Sequence, residues 1–427
     1  MAQEKKTLSL NEAIGLSIQN SKQLKINQAK VEEASAAAKE AIERKLPDAK
    51  VSGSYLRLNS ANVDMKTKSN NSGSGGSGNS SEAPKVTQAL YGLMNVSLPI
   101  YSGGRIRYGI ESAKFLEKAT QLDAEADKDE VVQNTIEAFA NLFKAKTAVG
   151  LVEENLNEAR QRTKDFTGME KNGLLARNDL LKAELQESNT ELSLLDAQNN
   201  WQLANINMDL LLGLPTTTEL VLDTAGIEKK DDPRVLDDYL KTALSNRKDI
   251  AAIDLRKKAA ESGVKSVKGE KYPALALTGG YIAADIPGVL SVTNAVNIGL
   301  GVSYDIGSLW KNKSKVQQAE ARVKQLVISE SLLDDNIRLQ VNKSYLGLLS
   351  NRKKIEVYAK AVEQAQENYR IVKNKYNNSL ATTTELLDAD IAQLQARLSY
   401  TLARADAFVA YHKLLQTAGV LSTELKK

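Results

Sequence analysis

The segment VNIGLGVSYDI, residues 296–306, decides how the chain is read. Val296, Ile298, Leu300, Val302, Tyr304 and Ile306 are apolar, and Asn297, Gly299, Gly301, Ser303 and Asp305 stand between them. A strict period of two over eleven residues marks a strand with one apolar and one polar face. Most of the remaining sequence is charged, Ala- and Leu-rich and helical in character, so a long two-faced strand needs an explanation.

Composition narrows the field. The 427 residues can supply two or three ordinary domains and a sizeable core. Basic and acidic residues number 57 and 53, interspersed, for a net charge of +4. That balance, with aromatics at 5%, gives no support to nucleic-acid binding. No run approaches the ~18 apolar residues of a spanning helix. Cysteine is absent and His412 is the single histidine, which removes thiolate chemistry and Cys/His zinc sites. His412, in FVAYHKLL, has no acid–nucleophile constellation nearby and reads as structural. No catalytic residue, metal site or cofactor is expected, and the chain is not read as an enzyme. The start, MAQEKKTLSL, lacks an apolar signal region. The expectation is either a protein that stays inside the cell or a processed chain with an added Met.

The sequence repeats itself. VSLPIYSGGR at Val96 aligns with VSYDIGSLWK at Val302, and DLLKAE at Asp179 with ELLDAD at Glu385, both offset by 206. Upstream, KLPDAKV with Pro47 aligns with KYPALAL with Pro273, offset by 226. The difference falls on KSNNSGSGGSGNSSEAP, a polar low-complexity tract read as a flexible loop (66–84), either natural or an engineered linker. Each half then predicts one helix (10–46, 237–271), two strands (51–64 and 86–101; 274–285 and 292–306), a very long helix (104–172, 309–377), a short break and a last helix. Gly213 and Pro215 in LLLGLP close the first half.

The long helices carry a heptad seam. In the second half it runs from Val316 through Leu333, Ile337, Val341, Leu348, Ile355 and Val362 to Tyr369, Val372 and Tyr376, with a stutter-like step near Ile337. The first half repeats it at Val132, Ile136, Phe139 and Phe143. A helix of some 68 residues at 1.5 Å per residue is roughly 100 Å long, so the expected protein is elongated.

Strand pattern alone favours a soluble antiparallel sheet packed on helices, the commoner arrangement. Two features favour a transmembrane barrel wall instead. Coiled-coil helices leave no compact layer to cover the sheet, and glycines (Gly299, Gly301, Gly279) are expected on the polar face, as inside a narrow water-filled barrel. A sheet in hydrocarbon must close, and four strands cannot close around a channel, so several chains would share one barrel.

At this point the chain resembles the TolC family of outer-membrane efflux proteins over nearly its whole length. The resemblance is carried by the duplicated layout, the junction NVSLPIYSGGRIR, LLLGLP, and the break motifs KNGLLARNDLLKAELQ (171–186) and KYNNSLATTTELLDADIAQLQA (375–396). It implies a mostly α fold with a β-barrel portion, a homotrimer sharing a twelve-stranded barrel in the bacterial outer membrane, and a helical tunnel in the periplasm. The strands would fall in 47–103 and 272–308, and the tunnel in 9–46, 104–213, 235–271 and 309–418. An equatorial belt would come from 214–234 and 419–427. The loop 66–84 would face outside the cell. Family members carry an export signal, so a mature chain is implied, without the N-terminal Cys of lipid-anchored relatives.

The same resemblance implies function. The trimer would be a passive exit duct, taking small molecules or polypeptides from an inner-membrane pump and its periplasmic adaptor. The alternative is a soluble, elongated coiled-coil scaffold without transport. Val296, Ile298, Leu300 and Val302 are expected to face lipid. The breaks at 173–178 and 378–383 are expected to be periplasmic tips, with Gly173, Leu174, Leu175 and Leu380 meeting the adaptor. Glu385 and Asp388, at i and i+3, suit the positive end of a helix on their own merits. In the family such a pair lines the entrance, where three copies would bring together six carboxylates that favour cations and raise one another's pKa. Asp179 and Tyr376 would latch neighbouring helices, with Arg177 replacing the arginine that relatives often carry near Ala381.

Overall fold

The computed structural model describes residues 5–62, 85–223, 234–287 and 290–425. The loop 66–84 lies outside them, as does most of the linker after Leu222. The elements in chain order are β1 (Lys5–Leu8), α1 (Leu10–Asn20), α2 (Lys22–Glu43), β2 (Asp48–Asn62), β3 (Lys85–Tyr101), α3 (Arg105–Lys171) and α4 (Arg177–Leu212). There follow β4 (Glu219–Leu222), α5 (Leu236–Asn246), α6 (Lys248–Lys268), β5 (Ala274–Ile286), β6 (Leu290–Ser303), α7 (Ser308–Asn377), α8 (Thr383–Thr417) and α9 (Leu421–Glu424). The expected plan is present in both halves.

The expected first helices are each broken once. In the first half α1 ends at Ser21, where the backbone turns extended and the hydroxyl accepts from the N–H of Leu24 to start α2. In the second, Arg247 is the extended residue, held by its guanidinium on Asp249. Ser21 and Arg247 stand 226 apart, the same offset as Pro47 and Pro273. The duplication preserves the break, but Ser21 between helix formers reads equally well as an exposed helical position.

Two compact units make up the chain. One contains residues 32–118 and 255–327. Its four strands pair antiparallel in the order β2-β3-β5-β6, so the two hairpins join through β3 and β5. The registers Leu277↔Leu300, Gly279↔Ile298 and Tyr281↔Val296, with Val96↔Gly279, place the apolar residues of three strands on one face. Gly279 therefore lies on the apolar face, not the polar one; Gly280, opposite Asn297, takes the polar position. The error arose from a tandem Gly279-Gly280, for which period two gives no phase. A bulge at Ile100 puts Tyr101 opposite Leu275. Val296, Ile298, Leu300 and Val302 are 68–81% exposed, so none of the described residues covers that face.

Below the strands, Gly103 and Gly269 face each other where β3 enters α3 and α6 ends. Gly103 has φ +63°, and a Cβ on either residue would overlap the other's carbonyl oxygen. This is the physical need behind the SGGR junction.

The other unit contains residues 1–31, 119–254 and 328–427. Its core gathers Val132, Ile136, Phe139 and Leu142 of α3 with Met208 and Leu212 of α4, Ile337, Val341 and Leu348 of α7, and Leu414 and Leu415 of α8. The heptad seam is thus the buried face. β1 and β4, missed in the sequence, form a short parallel pair from Lys5↔Glu219 to Leu8↔Leu222. Leu8 and Leu220 are buried in the core, while four-residue strands carry too little alternation to be recognised. Asn205 ties β4 to α4, donating to the carbonyl of Thr218 at 2.6 Å and accepting from Leu220 N–H at 2.9 Å.

Asp209, one turn beyond, is fully buried. Its Oδ2 accepts from Asn205 at 3.0 Å, while Oδ1 has no partner. Burial pushes its pKa from 3.8 to about 6. The folded state therefore holds a proton that the unfolded chain releases above pH ~4, and stability falls as pH rises through that window. By neutral pH the cost is about 3 kcal/mol. Asp209→Asn is expected to raise the melting temperature above pH 7 and to flatten its pH dependence between pH 4 and 7. Unchanged melting curves across that range would refute the buried charge.

Candidate functional site at the helical tips

The two hairpin turns, α3–α4 and α7–α8, are built on one motif at matching positions. Gly173 has φ +73°; its N–H donates to the carbonyl of Glu170, and that of Leu174 to Met169. Ser379, 206 residues on, has φ +59°, with Ser379 N–H on Tyr376 and Leu380 N–H on Lys375. Both are Schellman caps, in which a left-handed residue lets the chain satisfy the last helical carbonyls. The residue after the cap commonly packs back on its helix. Leu174 and Leu380 do not: they are 73% and 76% exposed. Leu175 is half-buried against the cluster Phe166, Leu180, Ala183 and Leu386.

The helices that leave the turns start differently. α4 begins after Ala176 without a side-chain cap. α8 has a full capping box: Glu385 N–H donates to Thr382 Oγ1 at 3.3 Å, and the Glu385 carboxylate accepts from Thr382 N–H at 2.7 Å and its hydroxyl at 2.9 Å. These bonds hold Glu385 below the usual carboxylate pKa, the backbone N–H contributing most. Asp388 is exposed one turn on. The helix-start reading of Glu385 is therefore realised, and the acid pair shares an open face of α8.

Asp179 and Tyr376 do not meet within the chain. Asp179 pairs with Lys182 at 3.2 Å, and Lys182 also donates to Thr384 at 3.1 Å. Tyr376 stacks on Phe166, ring centroids 5.6 Å apart. Arg177 lies 3.9 Å from Glu170. Sequence reasoning missed the charged group one level up, where Arg162 of α3 meets Asp390 of α8 at 2.8 Å. The signal was a charged residue at a seam position. His412 is buried, its Nδ1 2.9 Å from the carbonyl of Phe408. Among the described residues no group of side chains could hold a metal, and no helix is long and apolar enough to cross a membrane.

The cap chemistry sets two opposite expectations. Ser379→Gly removes a left-handed strain and is expected to stabilise its tip by roughly 0.5–1 kcal/mol. Thr382→Ala removes the box and is expected to destabilise the start of α8 by about 1 kcal/mol. Amide hydrogen exchange over 378–388 measures both, and shifts of the same sign would contradict the assigned caps.

A family model described as outer membrane efflux protein matches residues 13–214 and 239–420. The outer membrane efflux protein BepC of Brucella suis is 20% identical over 348 residues, 80% of this chain and 75% of that one. The pyoverdine export outer membrane protein OpmQ of Pseudomonas putida is 23% identical over 349 residues, 78% of this chain and 72% of that one. Among solved structures, the outer membrane channel CmeC of Campylobacter jejuni superposes with a TM-score of 0.79 at 18% identity, covering 98% of this chain and 88% of that one. With both halves of the duplication matched by one family model and the same fold in a solved channel, the chain belongs to the outer membrane efflux protein family, the exit ducts of the bacterial outer membrane.

Proposed function

We propose that three copies assemble into one duct, whose twelve-stranded barrel spans the outer membrane and whose helices form a periplasmic tunnel. One observation carries this reading: the four-stranded sheet leaves β2 and β6 each with a free edge and an apolar face more than two-thirds exposed along β6. Joining β6 of one copy to β2 of the next satisfies the edges and closes the wall. Further support comes from exposed leucine stripes, Leu185, Leu192, Leu195, Leu203 and Leu210 on α4 and Ile328, Leu332, Leu339 and Leu346 on α7, each more than half exposed. Neighbouring copies would cover them. Residues 47–103 and 272–308 form the barrel, the helices the tunnel, and 214–234 with 419–427 the belt.

In this duct the tips meet a periplasmic adaptor, which couples it to an inner-membrane pump. Leu174 and Leu380 are the docking side chains, with Gly173 and Leu175 shaping the turn. Glu385 and Asp388 ring the entrance and favour cations. Asp179, Tyr376 and Arg177 latch neighbouring chains, exchanging their present partners Lys182, Phe166 and Glu170.

Reconstitution in planar bilayers tests the whole reading. A detergent-dependent trimer with single-channel conductance is expected; a protein monodisperse without detergent and electrically silent is the coiled-coil scaffold instead. Arg in place of Ile298 is expected to cost about 2–4 kcal/mol near mid-bilayer and to impair barrel assembly, whereas Arg at Asn297 is tolerated. Equal tolerance removes the lipid face. Glu385→Ala with Asp388→Ala is expected to weaken cation selectivity, and Asp179→Ala with Tyr376→Phe to raise conductance. Leu174→Asp with Leu380→Asp is expected to abolish efflux from cells while trimers remain in the membrane.

A further inference from the structure

Above the tips the seam between α3, α7 and α8 is interrupted by charge. Arg162 donates from Nη2 to Asp390 Oδ2 at 2.8 Å, and the two side chains are 10% and 3% exposed. Asn155, two turns earlier on α3, donates to the other Asp390 oxygen at 3.3 Å. Arg162 also hydrogen-bonds Tyr369 of α7. One guanidinium thus touches both helices of the second hairpin. Burial alone would lower the Arg162 pKa, but the charge and hydrogen bond of Asp390 outweigh it and the group stays protonated. Glu158, one turn before Arg162 on α3, is pushed up by burial and then by Asp390 and Glu154, so acid is already crowded here.

A buried ion pair adds little net stability over a well-packed apolar pair, and its best-attested use is to fix register. The surrounding surface is small or smooth: Ala183, Leu386, Leu387 and Ala389 are all buried. Such packing tolerates a rotation of α8, whereas two hydrogen bonds on a buried carboxylate do not. Asp390 lies about 140° around α8 from Glu385. Holding Asp390 against α3 therefore turns Glu385 and Asp388 to the open side.

We propose that Arg162 is a positioning residue for the entrance: by gripping Asp390 and Tyr369 it sets the rotation of α8, and so presents Glu385 and Asp388 rather than Leu386 and Leu387. This rests on the reading of Glu385 and Asp388 as entrance acids.

The chain has no cysteine, which makes an engineered pair specific. Lys182→Cys with Thr384→Cys, joined by a short bis-maleimide that adds one thiol at each end, on the purified assembled protein, reports the facing of α8 on α4. Arg162→Leu is expected to lower the yield roughly fivefold or more, the low end of a coupling between sites. Cation selectivity in bilayers should fall with it, and Arg162→Lys should recover most of both. Arg162→Leu with Asp390→Leu leaves no stranded charge; it is expected to restore thermal stability but neither yield nor selectivity. If Arg162→Leu fails to assemble, this double variant decides alone. Unchanged yield, or recovery of both readouts in the double variant, overturns the positioning role even where Glu385→Ala with Asp388→Ala alters selectivity. Lost yield with unchanged selectivity overturns the link to the entrance, and no effect of the Glu385 and Asp388 variant removes the entrance reading itself.

Discussion

A strand edge in hydrocarbon leaves a row of N–H and C=O groups without partners, at several kcal/mol for each group. Among the described residues the four-stranded sheet has two such edges, on β2 and β6, and no helix is long and apolar enough to cross a membrane in its place. For a protein of the outer membrane that constraint governs everything else. In the duct proposed above it calls for closure by further copies, and those copies would cover the leucine stripes that one chain leaves exposed. Where β3 passes into α3, Gly103 and Gly269 bring that junction and the end of α6 together with no room for a Cβ.

How much of this was legible in the sequence depends on how many residues repeat a signal. The strand at 296–302 and the seam through Ile337, Val341 and Leu348 each repeat a pattern several times, and both lie where periodicity placed them. β1 and β4 repeat nothing; they are strands because Leu8 and Leu220 are buried beside each other's backbone, a tertiary reason. The breaks at Ser21 and Arg247 were visible only by comparing the two halves, since neither residue punctuates a helix by itself. Gly279 was given the wrong face because two adjacent glycines carry no phase.

At the tips the split is similar. The break motifs marked both turns, and Glu385 was placed at a helix start, since each is chemistry between near neighbours. The Arg162–Asp390 pair joins residues 228 apart, and from sequence each looked like one more surface charge on a charged helix. A charge at a seam position was the one signal, and burial is what separates them from the other charges. Asp209 is the same case with the opposite outcome: a buried carboxylate with no ion pair among the described residues, whose pKa burial pushes up to about 6.

The duplication also shows where the two halves have ceased to be equivalent. At the 206 offset, Ala176 matches Thr382, Asp179 matches Glu385 and Lys182 matches Asp388. In the first tip the i and i+3 positions are an acid and a base, which neutralise each other at 3.2 Å. In the second both are acids: Asp388 stands where the base was, exposed and with no ion pair among the described residues. The cap differs in the same sense: the uncapped start of α4 needs nothing from Asp179, while Thr382 binds the ionised form of Glu385 and keeps it charged to lower pH. Two turns of one geometry therefore carry opposite electrostatics. Glu385 serves the helix start through its cap, whereas Asp388 adds a like charge one turn on, which repels it at this spacing. Their concentration on α8 alone, with Asp390 held by Arg162 on the other side of the helix, is the asymmetry that the proposed entrance would use.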